Sequence, residues 1–369
     1  MSKPMYSVDF VLLALVGGLL LFGLAMLMSA SGPLGFEQFG DTYWFVKHQL
    51  LYGVTPGLLG MFIMSCIPFT FWRKMAGILL IVSIVLLILV FIPGVGADFG
   101  TAHSWIAIGG FSFQPAEIVK LTFLLYLAAW FERRADAGVK DANTGLIPFV
   151  SVLGIIMLLM ILQPDIGTMA VIVMIALAVY FVAGAPWPHL LLLGSGGAAL
   201  FFLLIRLAPY RAARFTTFLH PELDPQGVGY HINQALLAIG SGGFFGMGYG
   251  HSRQKFQYLP EVAGDSIFAV IAEELGFLFT VAMIGVYAFF AKRMLRVASL
   301  APDKFSQFVV VGVMTWILFQ AFVNIGAMLA LMPITGIPLS FISYGGTALV
   351  TMLSAMGIVL NISRHRTQE

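Results

Sequence analysis

Residues 230–243 read YHINQALLAIGSGG and residues 258–276 read YLPEVAGDSIFAVIAEELG, and this region lies between two long apolar runs. Between residues 230 and 276 it combines glycines, cations and three carboxylates near or inside a helix start, and ionised groups are costly in or near a membrane. The carboxylates are Asp265, at the start of the second run, and Glu273 and Glu274, roughly 12 Å further along a helix. We therefore predict that this region holds the functional site and that the rest of the chain is its platform.

The composition is that of a membrane protein. Of 369 residues, 60% are hydrophobic and 10% are charged, whereas a soluble domain carries about 25% charged residues. Runs of about 20 apolar residues are typical of membrane-spanning helices. They predict an all-α polytopic membrane protein, with residues 1–369 as one integral membrane domain and a Gly-rich loop at 94–114. The ten predicted spans are 8–30, 47–67, 75–93, 115–131, 146–163, 166–184, 188–208, 266–290, 306–331 and 343–362.

The distribution of lysine and arginine predicts the orientation, because these residues are enriched in cytoplasmic loops. With a cytoplasmic N-terminus, 12 of the 19 Lys and Arg residues fall in inner segments, and an even number of spans makes the C-terminus cytoplasmic too. Residues 209–265 then form a large extracytoplasmic loop between the seventh and eighth spans. Five of the other seven cations lie in or beside that loop. Either a long loop crosses regardless of charge, or this one binds an anion such as a lipid-linked phosphate.

The large loop contains a short helical pattern. The spacing of Ile232, Ala235, Leu236 and Ile239 predicts an amphipathic helix at 230–240, lying at the membrane interface. The glycines that follow allow the backbone to make tight turns or to approach a ligand closely.

The three carboxylates have alternative interpretations. Asp265 is either the N-cap of the eighth span or a general base that reaches an acceptor hydroxyl at the membrane boundary. Glu273 and Glu274 are adjacent, so their side chains point about 100° apart on a helix and are not expected to share one pocket equally. At that depth each needs a polar partner.

Other polar residues lie at the ends of predicted spans. Glu117 and Lys120 are three residues apart, which predicts either a structural ion pair or a pair in which Lys120 binds a substrate phosphate. Asp165 is predicted to cap the sixth span. Arg211 and Arg214, after the seventh span, are predicted to bind phosphate or the membrane interface.

The last loop, residues 333–347, has two prolines and three glycines between two apolar spans. Non-helical backbone at membrane depth is tolerated only against protein or a cavity. This pattern predicts a re-entrant or cavity-lining turn. Asn324, inside the ninth span, is expected to form a hydrogen bond with a buried group.

Together these motifs resemble the SEDS family (FtsW, RodA and SpoVE) of peptidoglycan glycosyltransferases, over nearly the whole chain. SRQK and IPFTFWR are closer to the division branch, FtsW, than to the elongation branch, RodA. The motifs are FSFQPAE at 111–117, QPDIGT at 163–168, AIGSGGFFG at 238–246, SRQK at 252–255, SYGG at 343–346 and IPFTFWR at 67–73.

The resemblance implies a multi-pass protein of the bacterial cytoplasmic (inner) membrane that polymerises lipid II into glycan strands at the outer face. The family's essential loop aspartate matches Asp265, and the charged pair of its fourth span matches Glu117 and Lys120. Where the family commonly has His-Thr-Asp-Phe, residues 263–266 are Ala-Gly-Asp-Ser. The implied partners are lipid II, an undecaprenyl-linked glycan chain, a class B penicillin-binding protein and other divisome or elongasome membrane proteins, with no nucleic acid.

The predicted site has Asp265 as its catalytic residue. A divalent cation, Mg²⁺ or Mn²⁺, is compatible with pyrophosphate chemistry, with Asp265 as a candidate ligand and no organic cofactor. A lipid-linked precursor flippase and a non-catalytic scaffold for a transpeptidase remain as alternatives. The predicted substrate or pyrophosphate ligands are Lys120, Glu117, Arg211, Arg214, Arg253 and Lys255, and the predicted polar cavity residues are Glu274, Glu273, Asn324 and Ser343.

Overall fold

The computed structural model describes residues 7–99, 102–109, 111–134, 136–207, 215–218, 220 and 227–366, and most of them are helical. Two π-helical turns, Leu50–Val54 and Ala142–Leu146, lead directly into α3 and α7. The helices are α1 Phe10–Phe39, α2 Trp44–Gln49, α3 Thr55–Cys66, α4 Phe69–Leu89, α5 Pro115–Glu132, α6 Asp136–Lys140, α7 Ile147–Leu162, α8 Ile166–Val182, α9 Trp187–Leu207, α10 Val228–Ser241, α11 Ile267–Ser299, α12 Lys304–Met328 and α13 Gly346–Arg364.

A helix lies at each of the ten predicted span positions. By length and composition, seven helical stretches in the described chain are suited to crossing a membrane. α8 and α9 are also apolar, but their apolar stretches are shorter than those of the seven. α5 is not among the seven, and it carries Glu117, Lys120 and Glu132. The seven are Phe10–Phe39, Trp44–Cys66, Phe69–Leu89, Ala142–Leu162, Ile267–Ser299, Lys304–Met328 and Gly346–Arg364.

The prediction of an all-α chain is wrong at one place, the loop at 94–114. There the chain forms a three-stranded antiparallel sheet, β1 Gly96–Phe99, β2 Ala102–Ile108 and β3 Phe111–Phe113. Ile108 pairs with Phe111 across a two-residue connection of glycines. Two glycines between short apolar runs are typical of a β-hairpin. The sequence analysis treated these glycines only as part of a Gly-rich loop and did not predict the hairpin.

α10 confirms the predicted short helix, and it packs against α11. Its buried face consists of Ile232, Ala235 and Ala238. Leu236, which was predicted to lie on the apolar face, is instead 40% exposed. The helix is therefore amphipathic, but the face that it buries is rotated toward Ala238.

α11 is broken at Gly276, where φ is 77° and ψ is −177°. Residues 243–248 lie against the break and replace the missing helical hydrogen bonds. The backbone N–H groups of Met247 and Gly248 donate to the carbonyls of Glu273 and Glu274, at 3.0 and 2.9 Å. On the other side of the break, Phe277 N–H donates to the Gly243 carbonyl (2.8 Å) and Leu278 N–H to the Phe244 carbonyl (3.2 Å). An interrupted helix is tolerated in lipid only when its backbone is satisfied in this way.

We expect Gly276→Ala to destabilise the protein, because only glycine adopts this backbone conformation readily. The strain alone costs about 1–3 kcal/mol, and a Cβ at this position would also overlap the backbone nitrogen of Gly246. The measurement is the melting temperature of the purified protein in detergent. The matched control is Gly285→Ala in the same helix, where a Cβ meets no other atom within 4 Å. Equal melting temperatures for the two variants would show that the break is not required.

Candidate functional site

Asp265 lies at the end of the loop that precedes α11. The helix starts at Ile267, and its N-cap residue is Ser266, whose side chain makes no capping bond. Asp265 therefore lies one residue before the N-cap position. The residue is 9% exposed, and its backbone carbonyl accepts a hydrogen bond of 2.7 Å from Asn324 Nδ2. Its position is thus set by α12 as well as by the chain on either side of it.

Residues 330–345, between α12 and α13, form a non-helical segment, here called the 330–345 segment, in which residues 337 and 339–343 are buried. Polar side chains of neighbouring helices bind its carbonyls. Asn324 Nδ2 donates to the Ile337 carbonyl (2.8 Å), and Gln320 Nε2 donates to the Pro338 carbonyl (3.0 Å). These bonds satisfy backbone that a helix would otherwise pair internally. They confirm that Asn324 binds a buried group.

The same segment contacts the loop that carries Asp265. The backbone N–H of Tyr344 donates to the Ala263 carbonyl at 2.9 Å. Ser343, predicted to face a cavity, instead accepts a 2.8 Å hydrogen bond from Leu339 N–H within the segment. Its side chain therefore stabilises the turn.

Glu117 and Lys120 form the predicted ion pair. Lys120 Nζ lies 2.7 Å from Glu117 Oε1, and both side chains are buried. The ammonium also donates to Gln320 Oε1 (3.1 Å) and lies 4.9 Å from the ring centroid of Trp316. A cation with three such contacts would have to give them up to bind a phosphate. The geometry favours the structural ion pair.

Lys255 is a buried cation. Its Nζ lies 2.9 Å from Glu274 Oε1, and it also donates to Ser29 Oγ (3.0 Å) and to the Gly250 carbonyl (2.7 Å). The prediction that Lys255 holds pyrophosphate does not fit these contacts. Arg253 is exposed.

Residues 250–254 contact both Glu273 and Glu274, but the two carboxylates have different partners, and of the two only Glu274 pairs with Lys255. Glu273 Oε1 accepts from Arg253 N–H (3.0 Å), and its Oε2 accepts from the Ser252 hydroxyl. Glu274 accepts from the backbone N–H groups of Gly250 (3.0 Å) and Ser252 (3.3 Å). Both glutamates therefore fasten the loop to the break in α11 instead of facing a cavity.

The loop is fastened to α1 as well. The phenol of Tyr249 donates to the Ala25 carbonyl at 2.7 Å. Burial, and then the negative charge of Glu274, raise the pKa of Tyr249, so the phenol keeps the proton that it donates. Beside this contact, a groove of about 350 Å³ opens between α1 and the loop, with Lys255 and Phe256 among its lining residues.

Asp165 is confirmed as the N-cap of α8. Its Oδ1 accepts from Thr168 N–H at 3.0 Å, and its Oδ2 accepts from Gln114 Nε2 at 2.7 Å. Arg211 and Arg214 lie outside the described residues.

The described residues do not form a metal site of their own. No group of three or more His, Cys, Asp or Glu side chains in this part of the chain is arranged to hold a metal ion. Mg²⁺ commonly uses only one or two carboxylates together with substrate phosphates. A divalent cation at Asp265 therefore stays a prediction.

One residue near Asp265 was missed by the sequence analysis. His231, in the first turns of α10, has its Nε2 2.6 Å from the hydroxyl oxygen of Ser266. The two residues are 35 positions apart. Only the packing of α10 on α11 brings them together.

Comparison with known proteins gives a consistent result. A family model described as a cell cycle protein, FtsW/RodA/SpoVE, matches residues 10–368. Stage V sporulation protein E of Bacillus subtilis is 40% identical over 365 residues, which are 99% of each chain. A probable peptidoglycan glycosyltransferase FtsW of Trichlorobacter lovleyi is 38% identical over 96% of this chain and 93% of its own.

Two solved structures have the same fold. A chain of a peptidoglycan synthase complex, described as coordinating polymerisation and crosslinking, aligns with a TM-score of 0.78 at 30% identity, over 98% of this chain and 99% of its own. The crystal structure of the rod shape determining protein RodA of Thermus thermophilus aligns with a TM-score of 0.72 at 29% identity, over 98% of each chain.

We expect Lys255→Met to lower the stability of the protein by about 3–5 kcal/mol, because it leaves Glu274 as a buried charge without its cation. The additional change Glu274→Gln should recover part of that loss. The measurement is the melting temperature in detergent for the two single variants and the double variant. Arg253→Met, two positions away and exposed, is the matched control and should fall within about 0.5 kcal/mol of wild type. If Lys255→Met were as stable as the wild-type protein, Lys255 would again be a candidate phosphate ligand.

Proposed function

This chain belongs to the FtsW/RodA/SpoVE (SEDS) family of cell cycle proteins, and we propose that it is a peptidoglycan glycosyltransferase that polymerises lipid II. Relatives with that activity in their names match this chain almost from end to end. The observation that supports a role for Asp265 is its placement. It is a nearly buried carboxylate at the start of α11, held through its backbone by Asn324.

The proposed reaction is a direct displacement. The 4-hydroxyl oxygen of the N-acetylglucosamine of one lipid II attacks the anomeric carbon at the end of the growing chain. A glycosidic bond forms there, and the bond from the anomeric carbon to the pyrophosphate oxygen breaks. Its electron pair leaves with the undecaprenyl pyrophosphate, while Asp265 accepts the proton of the attacking hydroxyl. The anomeric configuration is inverted.

The leaving pyrophosphate requires cationic stabilisation. Lys120 and Lys255 are held in buried ion pairs, so they are poor candidates in this conformation. Arg253 is exposed in the loop that is fastened to α11, and it is our first candidate. Arg211 and Arg214 are proposed as additional ligands from their position in the sequence.

The proposed topology has ten membrane spans with both termini in the cytoplasm. Two groups of ion pairs support this assignment of the cytoplasmic side. Each joins helix ends that the distribution of lysine and arginine predicts to lie on that side. Arg73, at the start of α4, lies 3.0 Å from Glu132 and 3.3 Å from Asp303. Arg293 lies 2.8 Å from Asp9, which precedes α1. Four of these residues belong to segments predicted to be cytoplasmic, and Asp9 lies at the cytoplasmic end of the first predicted span, 8–30.

Contacts at the opposite helix ends support the extracytoplasmic side. Gln114, before α5, donates to Asp165, before α8, and its backbone N–H donates to Thr347 Oγ1 in α13 at 3.4 Å. These residues lie at span ends predicted to be external. With this orientation, Asp265 and the loop 209–265 face the side of the membrane on which the glycan is assembled.

A class B penicillin-binding protein is the proposed partner. A solved structure that shares this fold comes from a peptidoglycan synthase complex, which supports a transpeptidase beside the polymerase.

The seven apolar spans of the described chain support a multi-pass protein of the cytoplasmic membrane.

We expect Asp265→Asn and Asp265→Ala to reduce glycan polymerisation by at least about 100-fold, because each removes the proposed general base. The assay measures glycan chains made from lipid II by the purified protein, alone and with its cognate transpeptidase. The matched control is Glu261→Gln, which neutralises an exposed carboxylate of the same loop and should retain activity. Melting temperatures of all variants exclude loss through unfolding.

Two results would contradict the proposal. Glycan chains from the Asp265 variants at the wild-type rate would remove Asp265 as the base. No glycan from any variant or from wild type, even with the partner and Mg²⁺ or Mn²⁺, would favour the flippase or the scaffold.

A further inference from the structure

A chain of three polar side chains ends at Asp265. His231 Nε2 lies 2.6 Å from Ser266 Oγ, and Ser266 Oγ lies 3.4 Å from Asp265 Oδ1. The serine is fully buried, with 0% of its surface exposed, and the histidine is half-buried. The first member belongs to α10 and the other two to the start of α11. The Ser266 hydroxyl group therefore links the carboxylate to a second structural element.

The chemistry of these groups favours one direction for the hydrogen bonds. A serine hydroxyl has one proton to donate, and a carboxylate can only accept. When the Ser266 proton points at Asp265 Oδ1, the serine oxygen accepts from His231, which requires the tautomer with a proton on Nε2. The 3.4 Å distance is long for a hydroxyl–carboxylate bond. Catalytic hydrogen bonds without substrate are often long and tighten in the complex.

We propose that His231 is a positioning residue for the catalytic carboxylate: it holds the Ser266 hydroxyl so that its proton points at Asp265 Oδ1. The role rests on the proposed function, since it presumes that Asp265 is the base. Asn324 holds the backbone of Asp265, and the His231–Ser266 pair orients its side chain. A carboxylate fixed in this way presents the same oxygen to each acceptor hydroxyl, so less orientational freedom is lost in the reaction.

A purely structural role makes a different prediction. The buried Ser266 hydroxyl needs a partner, and His231 would then serve only to satisfy it. The apolar residues Ile232, Ala235 and Ala238 of α10 are buried independently of that hydrogen bond's chemistry, so a loss of the histidine is read against the stability of each variant. A structural contact would change stability alone. A positioning contact changes the turnover number.

The kinetic test compares His231→Leu, His231→Gln, Ser266→Ala and the double variant His231→Leu/Ser266→Ala in lipid II polymerisation. We expect His231→Leu and Ser266→Ala each to lower kcat about 10- to 100-fold with unchanged KM. The double variant should be no slower than the slower single variant, because both changes break the same chain. His231→Gln should retain most activity, since its amide carries an N–H at a similar position. The control Asn233→Leu, an exposed residue of α10, should behave like wild type.

A spectroscopic measurement tests the link without requiring turnover. In protein with ¹⁵N-labelled histidine, His231→Gln identifies the His231 signals. Ser266→Ala and Asp265→Asn should both shift the Nε2 resonance of His231, the second through the serine. An unmoved resonance in Asp265→Asn would overturn the proposed link.

The outcomes separate this inference from the proposed function. An active wild type with full kcat in His231→Leu, or with additive losses in the double variant, overturns only the role of His231. An equal loss of kcat in His231→Gln and His231→Leu overturns the assignment of His231 Nε2 as the hydrogen-bond donor. An inactive wild type overturns the proposed function and, with it, this role.

Discussion

The backbone hydrogen bonds at Gly276 are the constraint on which the rest of the site depends. A helix that crosses an apolar core cannot leave N–H and carbonyl groups unpaired, so the break in α11 requires another backbone beside it. Residues 243–248 supply that backbone, with two bonds on each side of the break. Glu273 and Glu274 then hold the next turn of the loop, and Lys255 balances one of their charges. Residues 243–255, which precede Asp265 in the same loop, are thereby bound to α11 around the break.

A second non-helical element closes the site from the other side. Gln320 and Asn324, on one face of α12, bind consecutive carbonyls of the 330–345 segment. Asn324 uses the same amide nitrogen to bind Asp265, and Gln320 also accepts from Lys120. A single helix thus links the buried ion pair of α5, the segment and the candidate base. Because each buried polar group in this network has few alternative partners, the network determines one arrangement of the site.

Much of the architecture could be predicted from the sequence, because apolar runs and helix caps are local signals. The helix positions, the Glu117–Lys120 pair and the cap at Asp165 depend on residues within a few positions of one another. The contacts of Lys255 and the pair formed by His231 and Ser266 depend on how distant segments pack. A lysine in an exposed loop and one buried against Glu274 look alike in sequence. Lys255 was therefore included among the predicted pyrophosphate ligands, although its ammonium group is held in a buried ion pair.

The order of these contacts along the chain has a consequence for biosynthesis. Residues 243–255 precede Glu273 and Glu274 in the chain, and so does Ser29, whose hydroxyl lies 2.6 and 2.8 Å from the two carboxylate oxygens of Glu274. The groups that bind these carboxylates have therefore already been synthesised when the carboxylates enter the membrane. Asn324, by contrast, follows Asp265 by 59 residues. A nascent chain arrested before α12 would contain the residues that pair the backbone at the break in α11. It would lack Asn324 and therefore the hydrogen bond to the Asp265 carbonyl. During cotranslational insertion, the Asn324 contact that positions Asp265 can thus form only after most of the membrane spans have been made.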